Sequence, residues 1–419
     1  MKNKFDFGII GSGPAGFTAA LLAAEKGLKV VLFEKDKIGG VCLNKGCIPT
    51  KTIMHSAELY KDVKNAESIG IVANDVKFDF AKVMERKNKV TDMLRNALIK
   101  NLQAKGVQII EGEAKVVAEK TIESNGETYF CEKIIMATGS EPKALRGLGY
   151  DHEFILNSDD LFEMKETPKS VVIIGAGAEG IEWARIFKDI DVDVTVVEAT
   201  GKVLSIADDE VSKYVERMFK MRKIGLKLST TVEKIENKKV TLSNGEVLEP
   251  DFVLVAIGRT PNKPEANGKV IHLGDACGQL MLANFGMYQA RALMSEIPFD
   301  NVFIPSVVYG IPEIAWIGAN EQDLPAGSYQ KSVLPIRTLG KAHCDNDIDG
   351  FIKVLSYDNK IIGAHIISKE ASAMIHQFAI AMQNEISVDD LKQVCFAHPT
   401  YSEGVYESIL ALWNDFQII

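Results

Sequence analysis

The stretch Gly39–Lys51, GGVCLNKGCIPTK, holds two cysteines, Cys42 and Cys47, in a chain that has 6 in all. Two thiols this close can form a redox couple, ligate a metal, or do neither. The others, Cys131, Cys277, Cys344 and Cys395, are scattered singly and lack the paired spacing of zinc or iron-sulfur sites, so metal is the weakest reading. A permanent structural bridge is disfavoured in a reducing cytosol. Spacing alone therefore leaves redox chemistry and ordinary thiols both open. A second candidate is the stretch FAHPTYSEG, with His398 and Glu403. A histidine suits proton transfer near neutral pH and a carboxylate can orient its other ring nitrogen, although a lone histidine is more often structural. His376, in ASAMIHQFAIAM, is expected to pack on an apolar helix face.

The segments flanking these residues have a nucleotide-binding pattern. FDFGIIGSGPAGFTAALLAAEKGLKVVLFEKD reads as an apolar strand, a glycine turn, an amphipathic helix and a second strand ending at Glu34. Gly11, Gly13 and Gly16 form G-x-G-x-x-G: one glycine permits the tight turn, one lets backbone approach a pyrophosphate, and one lets helix pack on strand. Glu34 can accept hydrogen bonds from a ribose. The design recurs in KSVVIIGAGAEGIEWARIFKDIDVDVTVVEAT, where Gly175, Gly177 and Gly180 are followed by Glu198 at the same offset. Two dinucleotide sites in one chain imply electron traffic.

Length and composition bound the rest. A chain of 419 residues predicts two to four domains. With 46% hydrophobic and 25% charged residues and a mean hydropathy of +0.02, it is an ordinary globular protein. A net charge of -9 disfavours nucleic acid or an anionic membrane as partner. The start resembles a signal peptide only superficially, because Asp6 interrupts its apolar run, and no stretch of about 18 apolar residues follows. A cytoplasmic location is expected.

Further strands with glycine ends, KIIMATGSEP, FVLVAIGRTPN and VIHLGDACG, close the two halves. Past residue 300 the pieces PSVVYG, EIAWIG and GFIKVLSYDNKIIGAHIIS, followed by helical ASAMIHQFAIAMQNE and SVDDLKQV, predict a third, α+β domain with a hairpin turn at YDNK.

Taken together, these residues resemble the pyridine nucleotide-disulfide oxidoreductases nearly end to end, and within them most closely the branch that oxidises dihydrolipoyl groups. GGVCLNKGCIPTK is the most specific element, supported by both fingerprints and HPTYSE. The resemblance implies an α/β fold of two Rossmann-like domains plus a C-terminal α+β dimerisation domain. FAD would occupy 1–150 with 268–298, NAD would occupy 151–267, and 299–419 would form the interface of a homodimer. It implies a Cys42–Cys47 redox disulfide, with Cys42 exchanging with substrate and Cys47 facing the flavin at a helix start near Pro49. Gly46 would help the loop curl. His398 with Glu403 would shuttle the proton, and Lys51 and Glu182 match the family's ion pair beside flavin and nicotinamide.

For FAD the implied contacts are Gly11, Gly13, Pro14, Ala15, Gly16, Glu34, Lys35, Gly40, Val41, Lys51, Ala137, Thr138, Gly139, Gly274, Asp275, Met281, Leu282 and Ala283. For NAD they are Gly175, Gly177, Gly180, Glu182 and Glu198, and Gly258 and Arg259 are further cofactor contacts. Glu198 favours a free ribose hydroxyl and so NAD over NADP. No metal is expected. The implied partners are lipoyl domains of a 2-oxoacid dehydrogenase or glycine cleavage complex.

The chain also departs from the family pattern. KPEANGK leads almost directly from GRTPN to VIHLGDA, and QDLPAGSYQKSVLPIRTLGKAHCDND is short. Glu179 stands inside the second fingerprint where an apolar residue is usual, and Asn284 where histidine is common. The alternatives are a related disulfide or mercuric reductase, the latter disfavoured by the absence of cysteines in the terminal ALWNDFQII, and a non-catalytic subunit of a lipoyl complex.

Overall fold

The computed structural model describes residues 3–145, 147–297, 302–310 and 312–412, so most of the terminal segment ALWNDFQII lies outside it. The chain divides into two compact units: Met1–Tyr60, Lys77–Thr167 and Gly258–Asp300 form one, and Lys61–Val76, Pro168–Ile257 and Asn301–Ile419 form the other.

The first unit begins with strand β1 (Lys4–Ile10), helix α1 (Pro14–Glu25) and strand β2 (Val30–Glu34), followed by α2 (Gly40–Asn44), α3 (Cys47–Lys64) and α4 (Phe80–Ala104). Strands β3 (Gln108–Glu111), β4 (Ala114–Ala118), β5 (Thr121–Ser124) and β6 (Glu127–Met136) complete its sheet in the order β3-β2-β1-β6-β5-β4, with Ile271–His272 returning to pair with β6. The pairs β3/β2, β2/β1 and β1/β6 are parallel. Because the chain steps from β1 to β2 on one side while β6 flanks the other, the strand order reverses at β1, which opens a crevice at its C-terminal end. The all-apolar run of β2 fits a strand covered on both faces: Val30, Val31, Leu32 and Phe33 are fully buried.

The second unit repeats the design with β7 (Ser170–Ile174), α5 (Ala178–Asp189), β8 (Asp193–Val197), α6 (Asp209–Met221), β9 (Gly225–Lys227) and β10 (Phe252–Val255). Its parallel order is β9-β8-β7-β10. An antiparallel sheet follows, β11 (Ser306–Val308), β12 (Glu313–Gly318), β13 (Gln330–Pro335), β14 (Phe351–Tyr357) and β15 (Lys360–Ser368), ordered β11-β12-β15-β14-β13. Helices α7 (Ala371–Gln383) and α8 (Ser402–Leu410) pack on it around Ile352, Ile366, Ile375, Phe378 and Tyr401. The expected hairpin is present: Tyr357 pairs with Lys360 across Asp358 and Asn359, whose φ values of 47° and 59° suit a tight two-residue turn.

His376 differs from expectation. Met374, Ile375, Phe378, Ala381 and Met382 form the buried stripe of α7, and His376 falls off that stripe and is exposed. Among the described residues no helix is long and apolar enough to cross a membrane. Nor do three or more His, Cys, Asp or Glu side chains gather there where they could hold a metal ion.

Within the second unit a buried cation ties the nucleotide-type layer to the antiparallel sheet. Lys353 of β14 is 1% exposed and donates to Asp208, 2.8 Å away, with Glu210 at 3.1 Å and Glu321 also paired. Asp208 in turn caps α6 by accepting the Glu210 N–H. Burial works to raise the Glu321 carboxyl, but Lys331, Lys353 and Tyr329 donate to it and hold it at about 2. Removing one partner of a buried pair strands the others, so Lys353→Met should cost about 3–5 kcal/mol at neutral pH. A depressed carboxylate stabilises the fold above its ordinary value of 4.5 and loses that contribution as pH falls toward 2. Denaturant unfolding should therefore show a large gap between wild type and variant at pH 7 that narrows at pH 3.

Candidate functional site

Each glycine turn is dictated by backbone crowding. At Gly11, with φ of 99°, an added Cβ would lie 2.2 Å from the Ala137 carbonyl oxygen, and at Gly16 it would lie 1.9 Å from the Gly11 oxygen. The second turn matches: Gly175 has φ of 108° with Ala256 O at 2.3 Å, and Gly180 has Gly175 O at 2.0 Å. The middle glycines differ, because a Cβ on Gly13 or Gly177 would meet nothing within 4 Å. The first and third positions are needed to build the turn. The middle one leaves room before the N-termini of α1 and α5, the kind of cradle that accepts a pyrophosphate. Both turns therefore fit a dinucleotide.

The two acidic residues are also built alike. Glu34 accepts the Ser12 N–H at 2.9 Å, the Ser12 hydroxyl at 2.6 Å and the Asp36 N–H at 2.9 Å. Glu198 accepts the Ala176 N–H at 2.7 Å, with the Thr200 N–H at 2.8 Å and its hydroxyl at 2.9 Å. Each carboxylate thus buttresses its own glycine turn. Glu179 stands in the first turn of α5.

Cys42 and Cys47 are joined by a disulfide with Cα atoms 4.7 Å apart, inside the range such bonds require. Helix α3 begins at Cys47 itself rather than near Pro49, its first bond running from the Thr50 N–H to the Gly46 carbonyl. Pro49 falls within the first turn, where a missing N–H costs nothing. The left-handed residues are Gly39 and Gly40, with φ of 102° and 61°. Gly46 instead lets the chain pass beneath the Val41 carbonyl, 3.2 Å from where a Cβ would be. The loop rests on the first fingerprint: a Cβ on Gly40 would lie 2.6 Å from Gly13 Cα, and the Gly39 N–H donates to the Ser12 hydroxyl at 3.0 Å. Val41 is half-buried and Lys35 exposed at this mouth, while Pro14 and Ala15 open α1.

The Ala137–Gly139 segment leaves β6 beside Gly11, and the Thr138 hydroxyl donates to Asn262 O at 2.6 Å. Asp275 accepts the Ser140 hydroxyl at 2.6 Å, and Arg259 donates to that hydroxyl at 2.8 Å and to the Ser140 carbonyl at 2.7 Å. Gly274 is held by Gln289, whose side-chain oxygen accepts its N–H at 2.7 Å. Met281, Leu282 and Ala283 form the entry to the helix Ala283–Ser295, and Gly258 has φ of 96°. Lys51 lies on α3 in the first unit. Glu182 lies on α5 in the second, buried and accepting the Tyr309 N–H at 3.1 Å.

His398 and Glu403 are together. His398 Nδ1 is 2.8 Å from Glu403 Oε1, and Glu403 Oε2 accepts the Thr400 N–H at 2.8 Å. Burial works to raise the Glu403 carboxyl, but the Thr400 N–H and His398 outweigh it and the net shift is downward. An ionised Glu403 fixes a proton on Nδ1 and leaves Nε2 as the nitrogen able to accept one. The ring is exposed.

Ser12, Ser140 and Gln289 also shape the site and were not expected from the sequence. Ser12 had a signal, a hydroxyl between fingerprint glycines. The others are brought in by long-range packing.

A profile of the pyridine nucleotide-disulphide oxidoreductases matches residues 5–277, and a profile of their dimerisation domain matches 304–409. A dihydrolipoyl dehydrogenase of Mycoplasma pneumoniae is 33% identical over 443 positions, covering 96% of this chain and 97% of the relative. One from Chlamydia muridarum is 31% identical over 454 positions, covering 98% and 97%. Both alignments are longer than this 419-residue chain, so the relatives carry segments that it lacks. The crystal structure of LpdA from Mycobacterium tuberculosis superposes with a TM-score of 0.89 at 25% identity, covering 98% of this chain and 100% of that one.

The glycine geometry separates folding from binding. Gly180→Ala should be destabilised by roughly 1–3 kcal/mol through overpacking against Gly175 O. Gly177→Ala should melt like wild type yet bind NAD more weakly. Thermal unfolding and NAD titration of the two variants check this.

Proposed function

Because the chain belongs to the pyridine nucleotide-disulphide oxidoreductase family, we propose that it is a homodimeric dihydrolipoyl dehydrogenase, oxidising protein-bound dihydrolipoyl groups with NAD as acceptor. The observation that carries this reading is the Cys42–Cys47 disulfide, borne by a loop that rests on the first fingerprint turn where Gly40 meets Gly13. The relatives at 31–33% identity share the activity in name, and the dimerisation profile supports the homodimer.

We assign FAD to residues 1–150 with 268–298, NAD to 151–267, and the interface to 299–419. Gly11, Gly13, Gly16 and Glu34 would hold the adenosine end and pyrophosphate of FAD, with Asp275 toward its ribityl chain. Gly175, Gly177, Gly180 and Glu198 would hold NAD. When bound, FAD accepts an electron pair from the cysteines and passes hydride to NAD.

The protein's own residues account for the thiol chemistry. His398 Nε2 takes a proton from the substrate dithiol, and Glu403 stabilises the resulting imidazolium through Nδ1. The substrate thiolate attacks Cys42 Sγ, the Cys42–Cys47 bond breaks, and Cys47 leaves as a thiolate in the first turn of α3, where the helix dipole favours negative charge. The second substrate thiol attacks the substrate sulfur of the mixed disulfide, the bond to Cys42 breaks, and Cys42 leaves carrying that thiol's proton as the lipoyl disulfide forms. In the dimer, the thiols of one subunit would be served by His398 and Glu403 of the other. Lys51 and Glu182 would flank the flavin and nicotinamide. The partners would be lipoyl domains of a 2-oxoacid dehydrogenase or glycine cleavage complex.

Steady-state turnover with dihydrolipoamide and NAD should far exceed turnover with oxidised glutathione or mercuric ion, and the opposite ranking refutes the reading. Two-electron reduction should produce a long-wavelength absorbance band that Cys47→Ser abolishes and Cys42→Ser keeps.

The Glu198 carboxylate would repel a 2′-phosphate. NAD should therefore exceed NADP by at least about tenfold in kcat/KM, roughly 1.4 kcal/mol. Equal use of the two would show that Glu198 does not read the ribose.

A further inference from the structure

Reduction of the disulfide removes the bond that holds Cys42 beside Cys47. Cys47 keeps its place, because it lies in the first turn of the 18-residue α3. Cys42 is less firmly held: α2 has 5 residues, too few to be stable alone, and opens on Gly39 and Gly40 in left-handed conformation, which tie it to the first fingerprint only on the N-terminal side of Cys42. A contact on its C-terminal side is needed as well to keep its thiol in register.

Asn44 supplies it. Its Nδ2 lies 2.9 Å from Gly40 O, 3.1 Å from Ile38 O and 3.3 Å from Lys37 O, three carbonyls that converge because the chain reverses at Gly39 and Gly40. An amide group has two N–H donors, so the nearer carbonyls of Gly40 and Ile38 are satisfied first. Its oxygen accepts from Arg95 Nη1 at 2.9 Å, and Arg95 is also paired with Asp92. A guanidinium only donates, so Arg95 fixes which way the amide faces: a flipped Asn44 would set NH2 against guanidinium and oxygen against carbonyls. Arg95 stands on the 25-residue α4. The same helix bonds the other arm, since Arg86 Nη1 donates to Thr52 O of α3 at 2.9 Å. The exposed Lys45–Asp36 pair, at 3.0 Å, is a weaker tie.

We propose that Arg95, acting through Asn44, is a positioning residue for Cys42, a splint from α4 that holds the two sulfurs within bonding reach after the disulfide has opened. The proposal rests on the redox role assigned to this pair. Its consequence is thermodynamic. A thiol held in place closes the disulfide at higher effective concentration, so the splint favours the oxidised form and its loss favours the dithiol.

The test equilibrates the FAD-loaded full chain, without air, in buffers of reduced and oxidised dithiothreitol. The protein S–S bond breaks as the cyclic dithiothreitol S–S bond forms, and two electrons and two protons move to the protein. Alkylation and mass spectrometry then count the two additional thiols. Arg95→Ala should shift the equilibrium constant about tenfold toward dithiol, about 30 mV for a two-electron couple. Asn44→Asp should shift it as well, because a carboxylate still accepts from Arg95 but cannot donate to Ile38 O and Gly40 O. Arg95→Lys should recover part of the loss, and carries the measurement if Arg95→Ala does not fold. Variants with full FAD content and equilibrium constants within twofold of wild type would overturn the splint, even if their melting temperatures fell. A wild-type disulfide that does not open and close reversibly would instead refute the redox reading on which the proposal rests.

Discussion

Gly40 and Gly13 approach until a single methyl on Gly40 would overlap the other's Cα, 2.6 Å away. The rest of the first unit is arranged around this backbone contact. It seats the loop that carries the Cys42–Cys47 disulfide on the turn expected to cradle a pyrophosphate, and two glycines facing each other are what allow it. Ser12 reinforces the contact by donating its hydroxyl to Glu34 while accepting the Gly39 N–H. One side chain thereby links the acidic end of β2, the glycine turn and the redox loop. A shift in any of the three is felt by the others, since buried hydrogen bonds of this kind are costly to leave unmade.

Much of this could be read from the sequence because the relevant signals are local. Gly11, Gly13, Gly16 and Glu34 share one βαβ unit, and their spacing encodes the turn directly. The same holds for Gly175, Gly177, Gly180 and Glu198. Tyr357 through Lys360 announced their hairpin through two adjacent residues that tolerate positive φ. What stayed hidden depends on distant segments meeting. Ser140 and Asp275 bond across 135 residues, and Asn44 and Arg95 across 51. No periodicity reports such pairs. His376 was misplaced for a different reason: its neighbours are apolar nearly all round the helix, so pattern alone could not say which face the sheet would cover.

The second unit solves a different problem. Asp208 caps α6, accepts from Lys353 of β14 and receives the Glu321 N–H at 2.9 Å, so one carboxylate serves helix, sheet and loop. An apolar residue at 353 would leave Asp208, Glu210 and Glu321 without the cation they share. Such a contact specifies how the layers meet more than it adds to stability. That matters for a module whose one part carries Glu198 and whose other part carries His398 with Glu403.

The two fingerprints are near copies in their crowded glycines and acidic buttresses, yet their surroundings differ. Gly13 is backed by Gly40 and the disulfide loop, whereas Gly177 is exposed. The loop that bears Cys42 and Cys47 thus covers the backbone of the first turn at its middle glycine. The same motif thus suits a resident group in one place and an exchanging one in the other, a difference set by what packs over the middle glycine rather than by the motif. Such an asymmetry would suit a two-cofactor oxidoreductase in which electrons enter through a group kept beside the thiols and leave on a carrier that comes and goes each turnover.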